Sequence, residues 1–100
     1  MAHSQKTAAF LAESRMTDAA MGDVEALYEL GVAYSTGRGG VPVDLIEAHK
    51  WFNLAALSGC TRGQECRAEI ALEMSAREIA EAQRQARAWL AVSGGQRRAA

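Results

Sequence analysis

Ser58, His49 and Asp44 are of the types from which a nucleophilic set can be assembled on paper. In such a set an imidazole takes the serine proton and a carboxylate orients the imidazole, so all three must meet in space. Asp44 and His49 fall on a predicted helix, where a cap and a repeating apolar pattern already account for them. Ser-x-x-Lys chemistry needs a lysine three residues after a serine. The only lysines, Lys6 and Lys50, are preceded at that spacing by His3 and Glu47. The glycines of Gly37-Arg38-Gly39-Gly40 follow a helix instead of a strand and do not end in Gly-Lys-Ser/Thr, so they read as a turn and not as a phosphate cradle. Cys60, Cys66 and two distant histidines give neither Cys-x-x-Cys nor His-x-x-x-His spacing, so no metal or cofactor is expected. A bridge between the two thiols would require the loop at Thr61-Arg62-Gly63 to bring their Cα atoms within about 7 Å. They are expected free, with Cys66 in the core and Cys60 near the surface.

Composition narrows the classes further. The chain has 100 residues, 49% hydrophobic and 23% charged, with a single proline, which suits one soluble domain. Alanine is abundant while β-branched and aromatic residues are sparse, a bias toward closely packed helices. A net charge of −1 supplies no positive excess to neutralise phosphates, so no nucleic acid is expected as a partner. No apolar run approaches the roughly 20 residues that cross a bilayer. Met1 to Lys6 lead into an amphipathic stretch without a signal-peptide apolar segment, so no membrane association and a cytoplasmic location are expected.

Helical periodicity recurs along the chain and predicts five helices. The first runs from about Gln5 to Ala20, with Ala9, Ala12, Met16 and Ala19 on one stripe, and ends before Gly22. Asp23 caps the second, about Val24 to Thr36, whose Leu27, Leu30, Gly31 and Tyr34 follow an i, i+3, i+4, i+7 pattern. Gly37 closes it in the left-handed conformation, and Pro42 keeps the following chain extended. Asp44 with Glu47 forms an Asp-x-x-Glu capping box for the third helix, which buries Leu45, Ala48, Phe52, Ala55 and Ala56 and ends at Gly59. The fourth, about Gly63 to Met74, is carried by Cys66, Ile70 and Met74. Ser75 and Glu78 form a second box that opens the fifth, where Ile79, Ala82, Ala86, Trp89 and Leu90 share a face up to Gly94-Gly95. Arg77, Arg84 and Arg87 against Glu78 and Glu81 make its other face a solvated one.

The pattern also repeats. Asp44-Leu45-Ile46-Glu47-Ala48 is echoed 34 residues on by Glu78-Ile79-Ala80-Glu81-Ala82, and Ala19-Ala20-Met21-Gly22-Asp23 echoes Ala55-Ala56-Leu57-Ser58-Gly59. Ala26, Leu30, Gly31, Tyr34, Gly37, Val41, Asp44, Ala48, Trp51, Ala55, Ala56 and Gly59 together resemble the Sel-one-like repeat family, an α-solenoid relative of tetratricopeptide repeats, over Asp23 to Gly59. Two departures stand out. Gly39-Gly40 carries one glycine more than the usual turn, and Cys66, Arg67 and Ile70 stand where the fourth helix would carry a Leu-Gly-x-x-Tyr core. The resemblance implies an all-α, short α-solenoid of antiparallel helix pairs. Residues 1–22 would form a leading half-repeat, 23–59 the clear repeat, 60–92 a degenerate repeat with a C-terminal capping helix, and 93–100 a flexible tail, all in one domain.

In the family and its relatives the first helices of the units line a concave groove. The resemblance therefore implies a non-catalytic adaptor that binds a protein or peptide there. Carried onto this chain, the groove falls on Glu25, Tyr28, Val32 and Ser35, with Glu29 at its margin, and continues on the fourth helix through Gln64, Glu65 and Ala68. Tyr28 is the expected anchor, because tyrosine presents a large apolar body and a hydroxyl at low entropic cost. Packing of Tyr28 against the first helix is the alternative. A self-assembling structural module, a homo-oligomer joined through its first or last helix, is the rival reading, and a small hydrolase is the third.

Overall fold

The computed structural model describes residues 13–99, and among them the chain is helical without strands. Helix α1 takes in residues 13–20, followed by α2 (Val24–Thr36), a 3-10 turn (Arg38–Gly40), α3 (Leu45–Leu57), α4 (Thr61–Ala71) and α5 (Ala76–Ala99). The start of the first helix and its Ala9 and Ala12 lie outside the described residues.

Each start and stop has a chemical cause. Asp23 Oδ1 accepts the N–H groups of Glu25 at 3.0 Å and Ala26 at 3.4 Å, satisfying donors that the first turn of α2 leaves free. Gly37, at φ +78°, ends α2 by donating its N–H to the Ala33 carbonyl at 2.8 Å. Ser75 and Glu78 exchange reciprocal bonds of 2.8 and 3.1 Å at the head of α5, a complete capping box.

The expected box at Asp44 is only half made. Asp44 Oδ1 accepts the Glu47 N–H at 3.1 Å, but the Asp44 N–H goes to the Tyr34 carbonyl at 2.8 Å, tying the start of α3 to the end of α2. The Glu47 carboxylate is freed for Trp51 Nε1 at 2.9 Å and Lys50 Nζ at 3.0 Å. Three further boundaries differ from the sequence reading, one being the end of α4 at Ala71 where about Met74 was expected. Cys60 sits in extended backbone and its Sγ accepts the Gly63 N–H at 3.3 Å, which starts α4 at Thr61, two residues earlier than expected. Helix α5 runs through Gly94-Gly95 to Ala99, where a stop and a tail from residue 93 were expected. Glycine inside a helix is less favourable than alanine by about 1 kcal/mol but does not forbid one, and no proline follows to force an end.

Helix α3 is the centre of the stack and packs against α2, α4 and α5. Its Ala48, Trp51, Phe52, Leu54 and Ala55 are all buried, together with Ala26, Leu27 and Leu30 of α2 and Ala82 and Ala86 of α5. The ring of Trp51 meets Trp89 of α5 edge-on, with centroids 4.8 Å apart. Glycine sets two approaches. A Cβ on Gly31 would stand 2.4 Å from the Phe52 ring, and one on Gly63 would stand 3.0 Å from Ala55 Cβ and 3.1 Å from the Phe52 carbonyl oxygen. So α2 and α4 both close on α3 because a side chain is missing.

His49 is buried on the same helix, 3% exposed, and its Nδ1 has no hydrogen-bond partner among the described residues. Burial, helped by the Arg67 guanidinium of α4, pushes its pKa below the ordinary 6.5. Unfolding returns the imidazole to water, where it binds a proton more readily, so stability is full above about pH 6.5 and falls as the pH drops from there toward the folded value. The expected slope below pH 6.5 is at most about 1.4 kcal/mol per pH unit. Urea unfolding at pH 7.5 and 5.5 checks this: the wild type should lose more stability between the two than His49→Gln, and equal losses would overturn the assignment.

Candidate functional site

With α3 at the centre, α2 and α4 turn their remaining faces outward. Glu25 and Thr36 of α2 are exposed, while Tyr28, Glu29, Val32 and Ser35 are half-buried; on α4, Gln64, Glu65 and Ala68 are exposed. Tyr28 is therefore not interior. Its ring packs at a tilt on Phe52 of α3, centroids 5.8 Å apart, and carries the Arg62 guanidinium of α4 over it at 4.4 Å. Arg62 Nη2 also donates to Glu25 Oε1 at 3.4 Å, so Glu25, Tyr28 and Arg62 form one cluster across α2 and α4. Both members of that ion pair are about 60% solvent-exposed, which limits its strength in water. The cation over the ring adds to it, and both contacts keep the guanidinium beside the tyrosine.

Burial, followed by the adjacent Cys66 thiol, raises the Tyr28 pKa above its ordinary 10. Cys66 and Cys60 are both free thiols and half-buried. Cys60 packs against the core as well as capping α4.

The structure brings together only some of the expected residues. Glu25 and Tyr28 meet at Arg62, and Gln64 and Glu65 follow on the same helix as that arginine. Glu29 points the other way: its Oε2 accepts from Arg15 Nε of α1 at 2.7 Å, beside a cleft of about 240 Å³ lined also by Ala33, Arg38 and Gly39. Ser35 donates its hydroxyl to the Val32 carbonyl at 3.2 Å, which leaves it turned onto its own helix. Arg62 is the residue that sequence reasoning missed, because Thr61-Arg62-Gly63 reads as a loop. The cue lay in the spacing, since Arg62 and Cys66 are one helical turn apart and so share an edge of α4.

The nucleophilic set does not assemble. Asp44 caps the first turn of α3 and Ser58 follows its last, about 20 Å apart at 1.5 Å per residue. Ser58 donates its hydroxyl to the Leu54 carbonyl at 3.0 Å. Among the described residues no group of three or more histidine, cysteine, aspartate or glutamate side chains could hold a metal ion, and no helix is long and apolar enough to cross a membrane.

Antiparallel helix pairs stacked through glycine and alanine, with the free faces of alternate helices turned outward, define an all-α helical-repeat protein. The repeat is of a known kind: residues 24–60, covering α2, α3 and the turn between them, match the family model of the Sel1 repeat, so the chain carries a Sel1 repeat. Sel1 repeats are generally protein–protein interaction modules of a non-catalytic, adaptor type. No curated protein and no solved structure matches the chain.

Proposed function

We propose that this protein is a non-catalytic adaptor, and that the outward faces of α2 and α4 take up a segment of a partner protein. The observation that carries this reading is Tyr28: a partly exposed aromatic, wedged between Phe52 and Arg62. Such a ring offers area already fixed in position, and fixed area binds without a further loss of side-chain freedom. Glu25 and Arg62 beside it supply one acceptor and one donor. Two free thiols fit the reducing conditions of a cytoplasmic location.

Affinity capture from native lysate tests the reading, comparing wild type with Tyr28→Ala and Glu25→Arg. Loss of a central aromatic contact is worth about 2 kcal/mol, so capture by Tyr28→Ala should weaken about thirtyfold. Glu25→Arg sets two cations side by side over the ring and should weaken capture as well, while leaving the melting temperature nearly unchanged because Glu25 is exposed. Equal capture by all three proteins would overturn the proposed surface.

A further inference from the structure

Glu29, which the structure turns away from Tyr28, belongs to the cleft of about 240 Å³ that Arg15 of α1, Ala33 of α2 and Arg38 and Gly39 of the glycine turn complete. Arg15 and Glu29 meet there at 2.7 Å with side chains 34% and 40% exposed, against about 60% for Glu25 and Arg62, so water screens this pair less. The bond uses Arg15 Nε and leaves the Nη groups of that fork for another acceptor. Arg38 is exposed and enters none of the ion pairs among the described residues. Two guanidinium groups and one carboxylate therefore share the cleft, and one positive charge is left unbalanced. Residues 1–12, which precede α1, contain no aspartate or glutamate, so that stretch supplies no counter-charge. The wall at the turn is bare. Gly39, at φ +77°, has nothing within 4 Å of where a Cβ would stand, which leaves room for another chain to come close.

We infer that this cleft binds an aspartate or glutamate side chain of a partner protein, its carboxylate held by Arg38 and by the Nη groups of Arg15. Guanidinium forks match the two oxygens of a carboxylate, and such charge-assisted bonds are stronger than neutral ones. The size of the cleft agrees with one side chain: pockets that enclose a whole small ligand measure roughly 300–1,000 Å³. The charge selects among anions. A carboxylate carries the single negative charge that the cleft lacks, whereas a phosphate group carries about −1.5 to −2 and would set the excess against Glu29. The inference rests on the adaptor reading in taking the occupant to be a protein, and it gives that partner an acidic residue at a contact separate from Tyr28.

Titration of the full chain with a blocked alanine pentapeptide carrying glutamate at its centre tests it, beside the same peptide with glutamine there and inorganic phosphate. Nuclear magnetic resonance reads binding at the Gly39 amide and at the Nε–H signals of Arg15 and Arg38. The glutamate peptide should move all three signals to saturation, and the glutamine peptide should bind about tenfold more weakly, having lost its charge to both arginines. Arg38→Gln should weaken the glutamate peptide about fivefold, with melting unchanged because the side chain is exposed. Glu29→Gln keeps an acceptor for Arg15 Nε while removing the competing charge, so it should tighten the same peptide about fivefold. A residue that served only to tie α1 to α2 would not raise affinity when neutralised. Unmoved signals, equal affinity for the two peptides, phosphate bound more tightly than the glutamate peptide, an Arg38→Gln protein that binds as the wild type does, or a Glu29→Gln protein that binds no tighter would each overturn the site. The outcomes separate from those of the adaptor reading: capture that depends on Tyr28 without peptide binding overturns the cleft alone, and peptide binding with capture indifferent to Tyr28 overturns the Tyr28 surface alone.

Discussion

Replacing Trp51 with alanine is expected to remove about 4 kcal/mol of folding stability, the size of loss found when a large aromatic is deleted from a packed core. The side chain is 1% exposed and holds three contacts at once: the edge of Trp89 on α5, the Lys50 ammonium 4.6 Å from its ring, and the Glu47 carboxylate at its Nε1. Its removal opens a hollow between α3 and α5, and the buried alanines Ala82 and Ala86 have no long side chains with which to refill it. For a domain of this size, whose whole stability is about 5–15 kcal/mol, that loss is a large fraction. Trp51→Phe separates the causes. It keeps most of the ring but gives up the bond to Glu47, whose carboxylate is 28% exposed and can turn to water, so about 1–2 kcal/mol is expected. Urea unfolding followed by circular dichroism measures both, with the midpoint shifting and the slope unchanged. A Trp51→Ala midpoint no lower than that of Trp51→Phe would show that α5 does not depend on this contact.

Much of this fold is written locally. Asp23, Gly37, Ser75 and Glu78 act within a few residues of themselves, and each does what its type and spacing predict. Glu47 does not, because a competing donor four residues on, the indole N–H of Trp51, is fixed in place by α5, a partner remote in sequence. The stripe read for α3 omits His49 and Leu54, both of which are buried. A one-sided stripe presumes burial against a single neighbour, and α3 has three. Helix α4 fails in the opposite sense: only Gly63 is buried on it, so its seat depends on the absence of a side chain and not on an apolar row. The candidate surface divides on the same principle. Sequence spacing places Glu25 and Glu29 near one face of α2, but Arg62 of α4 takes the first and Arg15 of α1 the second, and which cation lies across from a carboxylate is a tertiary fact.

Gly31→Ala puts that dependence on a missing side chain to a direct test. In a helix interior alanine is favoured over glycine by about 1 kcal/mol, so on local grounds the substitution should stabilise. The added Cβ, however, would lie 2.4, 2.5 and 2.8 Å from Cδ1, Cε1 and Cγ of Phe52. That ring cannot swing away, since it is 1% exposed and Tyr28 packs against it. The helices must therefore separate, and overpacking of this kind costs about 3 kcal/mol, leaving a net loss of about 2 kcal/mol. At about 4–8 °C per kcal/mol for a domain of this length, the melting temperature should fall by about 8–16 °C. Phe52→Leu in the same chain removes the atoms that clash. In that background Gly31→Ala should lose most of its effect, a coupling that a double-mutant cycle reads directly. Because Phe52 also supports Tyr28, Gly31→Ala should weaken partner capture in proportion to the displacement of α2, at temperatures where the protein is still folded. A Gly31→Ala protein that melts at or above the wild-type temperature would mean that α2 does not approach α3 as closely as the Phe52 contact requires, and the position of the Tyr28–Arg62 cluster would have to be redrawn with it.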